Sequence, residues 1–170
     1  MIYFNEEYMK PIFELLDKCK GVKQKEEYHP EGDVLIHSLQ VFHYACRETY
    51  DIDLLLAALL HDVGKAINTS EHTHESLNLL DPYVSLKTMW LIKNHMRVWT
   101  YLKGEMIGLK KCRELIEHPW FPELVQLARF DNMGRLKNYE PKYDKQEIID
   151  KLNIASQNHW QGKEPYSLRK

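Results

Sequence analysis

Residues 57–65 read Ala-Ala-Leu-Leu-His-Asp-Val-Gly-Lys, so an apolar run ends in an adjacent histidine and aspartate. Residues 54–60 are apolar on every side, which predicts a helix that is buried all round. Burial of the His61 imidazole and the Asp62 carboxylate at its end is costly unless another group satisfies them. A divalent metal ion would do so, because imidazole nitrogen and carboxylate oxygen are both good ligands. The alternative is an ordinary helix end, in which Gly64 is the C-cap and Lys65 complements the helix dipole.

The composition is that of an ordinary globular domain. The chain has 170 residues, of which 44% are hydrophobic, and its formal net charge is −2. This near-neutral balance argues against a nucleic-acid coat protein or a polybasic membrane binder, but it leaves room for a small phosphate site. The three cysteines (Cys19, Cys46 and Cys112) form no CxxC pair, so they indicate neither a zinc knuckle nor a disulfide framework.

The sequence shows no targeting or membrane segment. No apolar stretch is long enough to cross a bilayer, and the N-terminus has no basic region followed by an apolar run. We therefore expect a cytoplasmic protein with no membrane partner. No feature of the sequence indicates an obligate protein partner.

Capping residues and apolar periodicity divide the chain into helices. Asn5, Asp33, Asp51 or Asp53, and Ser85 stand where a side-chain oxygen can cap a helix N-terminus. No stretch shows the alternation of a half-buried strand, so the fold is predicted to be an all-α helical bundle. The predicted helices cover residues 5–19, 33–48, 51–62, a segment through 77–80, 86–96, 109–116, 121–133 and a segment around 148–154, with a loose tail from 157.

Helical wheels indicate which histidines of the second and fifth helices can face the core. His37 lies at the edge of the apolar arc, beside Val34 and Val41, whereas His43 lies on the polar side and is predicted to be solvated. His95 falls inside the apolar arc of its helix. A hydrogen-bonded core histidine is the alternative explanation for His95.

Two further polar residues are predicted to point inward. His74 lies one turn before the next apolar residues and can face the same way, while His72 is assigned to the preceding loop. Asp131 projects from the apolar face of the helix over 121–133, and a buried carboxylate needs a partner. A salt bridge with Arg135 would provide one, and a metal ion would provide another.

Taken together, these residues favour one metal centre in the core of the bundle. Each has a separate explanation, but one shared cause accounts better for several polar side chains buried in one small core. Side chains on facing helices are a common source of such sites. The predicted set is His37, His61, Asp62, His74, His95 and Asp131.

The order His37, His61-Asp62, Asp131 resembles the signature of the HD-domain superfamily of metal-dependent phosphohydrolases, and residues 61–65 resemble its central motif. The likeness is strongest to the HD domain attached to bacterial tRNA nucleotidyltransferases, the CCA-adding enzymes. Residues 28–38 (Tyr-His-Pro-Glu-Gly-Asp-Val-Leu-Ile-His-Ser) resemble the entry segment of that domain. The His74-Glu75 pair, residues 94–96 and residues 118–124 are further matches.

The resemblance covers residues 28–135, most of the chain. It implies a single HD domain over 1–170, with its core at about 28–135 and a C-terminal helix and tail at 137–170. The CCA-adding enzymes carry a nucleotidyltransferase head before this domain, whereas only about 30 residues precede it here. We therefore expect that this chain does not add nucleotides by itself.

The resemblance also implies ligands. In the superfamily the first histidine, the His-Asp pair and the last aspartate bind one metal. The matching residues are His37, His61, Asp62 and Asp131. Two further histidines, here His74 and His95, can bind a second metal that the central aspartate bridges. Nitrogen and oxygen ligands without thiolate suit one or two ions of Mn, Fe, Co, Ni or Mg.

The function implied is hydrolysis of a phosphoester on a nucleotide or an RNA end, as a phosphodiesterase or phosphatase that uses a metal-activated water. Asp62 and Lys65 would be catalytic, and Lys65, Arg97 and Arg135 would contact the substrate phosphate. Helix capping and surface salt bridges are the alternatives for these three cations. Two other functions stay open: an HD-type diiron oxygenase, and a nucleic-acid-binding HD module without turnover.

Overall fold

The computed structural model describes residues 3–163 and confirms the all-α fold. Within those residues there are eight α-helices, one 3₁₀ turn and no strand, apart from an isolated bridge between Lys23 and Asp33. The helices are α1 (Glu6–Asp17), α2 (Val34–Glu48), α3 (Ile52–Leu60), α4 (His72–Leu80), α5 (Leu86–Leu102), α6 (Leu109–Ile116), α7 (Phe121–Met133) and α8 (Lys145–Trp160), and the 3₁₀ turn is Val63–Ala66. No helix of the described part is both long and apolar enough to cross a membrane.

Side-chain caps fix the helix starts that the sequence indicated. Asn5, Asp33, Asp51 and Ser85 each accept a backbone N–H from the first turn of the helix that follows. Each cap satisfies a donor that a helix start leaves without an intrahelical partner. Of the two aspartates proposed for α3, Asp51 is the cap.

Two helices end later than predicted. α5 continues to Leu102 instead of stopping near residue 96, because no glycine or proline interrupts it before Gly104, whose φ of 71° ends the helical path. α8 continues through residue 157 to Trp160. The rest of the predicted tail, residues 164–170, lies outside the described residues.

α3 is the central helix of the core. All residues from Leu54 to Leu60 are buried, as the apolar run predicted. The helix packs against α2, α5, α7 and α8. Because each fully buried leucine contributes about 1.5–3 kcal/mol, this packing strongly favours a buried α3. It therefore holds His61 and Asp62 inside the protein rather than at its surface.

Gly64 lies inside the 3₁₀ turn and does not cap α3, whose C-cap is His61. A Cβ added at Gly64 would lie 2.0 Å from the backbone oxygen of His72 and 2.6 Å from the backbone nitrogen of Ser76. The Gly64 N–H donates to the Ser76 hydroxyl at 2.9 Å. The missing side chain therefore allows the first turn of α4 to rest directly on the turn that follows Asp62.

Replacing Gly64 by alanine should lower the free energy of unfolding by at least about 1–3 kcal/mol, because the backbone of α4 must move to admit the methyl group. Urea unfolding measures this loss. Ser70→Ala, an exposed change in the same connection, should alter stability by less than about 0.5 kcal/mol. A Gly64→Ala protein as stable as the wild type would contradict the close packing of α4 on the turn.

Candidate metal centre

Asp62 lies at the centre of a buried group of histidines. The residue is 2% exposed. Its Oδ2 lies 3.5 Å from Nε2 of His61 and 3.9 Å from Nε2 of His37. Its Oδ1 lies 3.4 Å from Nε2 of His72 and 3.5 Å from Nε2 of His95. One carboxylate therefore faces two separate pairs of histidines.

Asp131 joins the first of these pairs. Its Oδ1 lies 2.9 Å from Nε2 of His37 and 3.8 Å from Nε2 of His61, in directions that do not suit a hydrogen bond. Its Oδ2 accepts a hydrogen bond from the Trp99 indole at 3.1 Å. The Arg135 guanidinium lies 3.4 Å from Oδ1, so the salt bridge considered as an alternative also exists. It coexists with the histidine contacts and does not replace them.

The donor atoms are spaced as metal ligands are. The first cluster is His37, His61, Asp62 and Asp131, and the second cluster is Asp62, His72 and His95. Bonds of about 2.1 Å to one metal separate neighbouring ligand atoms by about 3.0–3.4 Å. The distances above run from 2.9 to 3.9 Å, and the two Nε2 atoms of the second cluster are 3.3 Å apart. Both clusters offer nitrogen and oxygen without thiolate, which suits a divalent cation.

All four histidines are oriented so that Nε2 faces the shared carboxylate. Nδ1 of His61, His72 and His95 contacts the carbonyl oxygen three residues earlier, at 3.1, 3.0 and 2.6 Å respectively. Nδ1 of His37 contacts the Gly134 carbonyl oxygen at 2.9 Å. Because a carbonyl oxygen only accepts, Nδ1 must carry a proton and donate it. This anchoring through the second nitrogen is typical of histidines that bind metals.

Two of these Nε2 atoms face the aspartates without forming a hydrogen bond in the described part of the chain. Nε2 of His37 and Nε2 of His61 are buried and have no hydrogen-bond partner there. A buried polar atom without a partner is costly and needs an explanation. A cation between these rings and the two aspartates would provide one.

The pKa shifts of Asp62 and of two histidines beside it favour the protonation states that bind a cation. Burial lowers the pKa of His61 to about 4, so this ring is neutral at pH 7, and burial also lowers the pKa of His72. Burial disfavours the charged form of Asp62, but His61, His95 and Lys65 hold the pKa of this carboxyl well below its ordinary value. Neutral imidazole and ionised carboxylate are the forms that bind metal.

His37 differs from the other histidines in its charge environment. Burial disfavours its charged form, but the carboxylates of Asp131 and Glu31 raise the pKa of His37 to about 10. Burial likewise opposes the ionisation of Asp131, yet His37 and His61 hold its pKa well below the ordinary value. A cation bound at Nε2 of His37 would compete with the proton of this ring.

His74 belongs to neither cluster, and the prediction that it faces the site is wrong. The residue is exposed, and its Nε2 accepts a hydrogen bond from the Asn78 amide at 3.1 Å. α4 begins at His72, so His74 lies about 200° further around the helix axis.

His72, which the sequence interpretation assigned to a loop, takes the position expected for His74. His72, Ser76 and Leu80 recur every four residues and form the buried face of α4. Apolar periodicity in the sequence could not indicate this face of α4, since two of its three buried residues are polar.

A cavity of about 560 Å³ opens beside the two clusters. Its lining includes five cations and two aromatic residues, namely Lys23, Lys25, Lys65, Lys103 and Arg135, with Tyr28 and Trp99. The two carboxylates in the lining are those of Asp62 and Asp131, so cations outnumber acids.

The three cations predicted to contact substrate are placed differently. Lys65 donates to Oδ2 of Asp62 at 2.8 Å and to the Gln24 side-chain oxygen at 2.7 Å. Arg135 lines the cavity beside Asp131. Arg97 lies outside the lining and donates to Asn94 at 2.7 Å, so the structure does not bring it to the site.

The assignment of His72 can be tested against that of His74. If Asp62 is shared by two ions, His72→Ala should reduce bound Mn²⁺ from two equivalents per chain to one, because it removes one of the three residues of the second cluster. His74→Ala should leave both equivalents in place. Equilibrium dialysis followed by elemental analysis measures them, and the variants are matched because the residues are two apart on one helix. Loss of an ion in His74→Ala but not in His72→Ala would contradict the geometry.

Known proteins resemble this chain over the same region. Residues 34–133, more than half of the chain, match the family model described as HD domain. The chain is 33% identical over 106 residues to a multifunctional CCA protein of Acinetobacter baumannii. The aligned region covers 62% of this chain and 25% of that relative. It is 35% identical over 161 residues to a multifunctional CCA protein of Burkholderia mallei, and the aligned region covers 83% of this chain and 39% of that relative. The chain thus spans less than half the length of these relatives. The match over the helices that bear both clusters shows that the chain belongs to the HD-domain family.

Proposed function

We propose that this chain is a metal-dependent phosphohydrolase that acts on a phosphoester of a nucleotide or of an RNA end. The observation that supports this most directly is the Asp62 carboxylate, which lies between two histidine pairs beside a cationic cavity. HD-domain proteins as a class are metal-dependent phosphohydrolases, and buried His and Asp groups that could hold an ion are present here.

The first cluster would hold one divalent ion and the second cluster another, with Mn, Fe, Co, Ni and Mg all compatible with the ligand types. When bound, such ions supply an activated water and polarise a phosphoryl oxygen. The protein's own contribution is to fix the ligands. Asp62 would contribute one carboxylate oxygen to each ion position. The backbone carbonyls behind the histidines keep each Nε2 directed at these positions.

Lys65 would offset negative charge on the phosphoryl group. Its ammonium lies between Asp62 and Gln24 at the edge of the cavity. A small rotation away from Asp62 would direct Nζ toward a non-bridging phosphate oxygen while Gln24 still holds it. Arg135, fixed by the Tyr28 carbonyl oxygen at 2.9 Å, would provide a second cationic contact. Fixed charges aimed at developing charge are worth the most in a water-poor site.

The cavity suits a nucleotide-sized group. Its volume of about 560 Å³ lies within the range of about 300–1,000 Å³ that is usual for small-molecule sites. Tyr28 and Trp99 offer aromatic surfaces on which a base could stack. The relatives are named multifunctional CCA proteins, and this naming supports a substrate with an RNA end.

A diiron oxygenase is the second candidate, because the donor set is also compatible with iron. The six residues that would hold the irons are His37, His61, Asp62, His72, His95 and Asp131. Lys65 and the excess of cations in the cavity favour hydrolysis. Oxygen consumption by the iron-loaded protein, with a mixed-valent paramagnetic signal and no phosphoester turnover, would favour the oxygenase.

The proposal is tested by loading the protein with Mn²⁺ or Co²⁺ and assaying 2′,3′-cyclic, 2′-, 3′- and 5′-phosphoesters of nucleotides and short RNAs. We expect turnover that a chelator abolishes and added metal restores. Asp62→Ala should lose both bound metal and turnover, whereas His159→Ala, an exposed histidine of α8, should keep both. RNA binding without turnover of any ester would contradict the proposal and favour a binding module.

Lys65→Ala should lower turnover by about 100-fold or more, since it removes a positive charge from the position of the reacting phosphate. Bound metal should stay at the wild-type level because Lys65 is not a ligand. Lys93→Ala, an exposed lysine of α5, is the matched control and should leave turnover unchanged. Wild-type rates in Lys65→Ala would restrict this lysine to a structural role.

A further inference from the structure

Glu31 is a buried carboxylate that the roles described above leave unused. The residue is 6% exposed. Its Oε1 lies 2.7 Å from Nδ1 of His37 and 2.9 Å from Nδ1 of His29. Its Oε2 is buried and has no hydrogen-bond partner among the described residues. A buried carboxylate with one oxygen unpaired is costly, so its position needs an explanation.

A tight turn before α2 places this carboxylate. The Gly32 N–H donates to the His29 carbonyl oxygen at 3.2 Å, and Gly32 has a φ of 112°, which only glycine adopts without strain. Asp33 follows at once and caps α2 by accepting the Ile36 N–H at 2.8 Å. The turn and the cap together hold Glu31 against the first turn of α2, which bears His37.

His37 is distinguished from the other histidines of the two clusters by what lies behind it. Nδ1 of His61, His72 and His95 has a backbone carbonyl as its hydrogen-bond acceptor. Nδ1 of His37 also has a carbonyl in line, that of Gly134 at 2.9 Å, but the Glu31 carboxylate approaches the same atom from the side at 2.7 Å. One metal-facing ring is therefore backed by a full negative charge.

We propose that Glu31 is a positioning residue that makes the first cluster the tighter of the two metal positions. Held by the His29 ring, its carboxylate fixes the orientation of the His37 imidazole and so keeps Nε2 directed at the first cluster. This inference rests on the proposed metal centre. A carboxylate behind a ligating histidine fixes the tautomer and strengthens the ligand, and its loss typically costs about 10–100-fold in metal affinity.

A third metal site is the competing interpretation of the same residues. Donor atoms of His29, Glu31 and His37 lie within 4.8 Å of one another. However, Glu31 and His29 are joined by a charge-assisted hydrogen bond of 2.9 Å, and Glu31 and His37 form an ion-pair contact of 2.7 Å. A third ion would also require His37 to bind metal through both ring nitrogens, and Nδ1 already faces the Gly134 carbonyl. The triad is therefore a supporting network behind the first cluster.

The experiment is a Co²⁺ titration followed by visible absorption and calorimetry. Glu31→Gln should weaken the tightest Co²⁺ equivalent by about 10–100-fold and leave the weaker one nearly unchanged. In a His37→Ala background the same substitution should change affinity by less than about 2-fold, because the carboxylate acts through His37. Glu27→Gln, an exposed glutamate of the same loop, is the matched control and should behave as the wild type.

The outcomes separate this inference from the proposed function. An unchanged tight equivalent in Glu31→Gln, or an equal loss with and without His37, would overturn the role of Glu31 while the metal centre stands. A wild-type chain that binds no Co²⁺ would overturn the metal centre and this inference with it. Glu31→Asp keeps the charge but withdraws it by one methylene, so it should give an intermediate loss. It provides the test if Glu31→Gln fails to give the circular dichroism of the folded wild type.

Discussion

Asp62 is a charged carboxylate held just after α3, a helix that is apolar and buried from Leu54 to Leu60, and the burial of Asp62 is the constraint on which the site depends. A buried charge costs several kcal/mol unless it is paired and hydrogen-bonded. Here His37 and His61 surround one oxygen and His72 and His95 the other, with Lys65 at the edge. These partners come from α2, α4, α5 and the segment after α3. The Asp62 carboxylate is therefore paired only when those elements pack together.

Two close backbone contacts, at Gly64 and Gly134, bring the partners of Asp62 into position. At Gly64 the absence of a Cβ lets α4 rest on the turn after Asp62, which brings His72 into range. At Gly134 a Cβ would lie 2.3 Å from the Val41 side chain, so glycine allows the end of α7 to meet α2. The Gly134 carbonyl then anchors the His37 ring. Rigid backbone acceptors lie behind all four histidines and hold the donor atoms in place, and His37 has the Glu31 carboxylate behind it as well.

The features that could be predicted from the sequence are those that act within a single helix. Apolar periodicity and side-chain caps act within one helix, so they identified the buried α3, the start of α2 and the inward direction of His37, His95 and Asp131. His72 was missed because the start of α4 has no side-chain cap, and its close packing on Gly64 is a tertiary feature.

Other parts of the site had no sequence signal of this kind. Glu31 stands in a loop without periodicity, and only the turn at Gly32 directs it inward. Arg97 lies outside the cavity lining and donates a hydrogen bond to Asn94 of the same helix. The single domain over residues 1–170, with its core at 28–135, remains a prediction, and the family match at 34–133 lies inside that core.

The most direct test of the shared carboxylate is anomalous scattering from crystals grown with Mn²⁺. Two peaks about 3.5–4 Å apart are expected, as in two-metal hydrolytic sites. One should contact Oδ2 of Asp62 together with the other residues of the first cluster, and the second should contact Oδ1 together with His72 and His95. Peaks that do not contact Asp62, or an ion held by His74, would contradict the account.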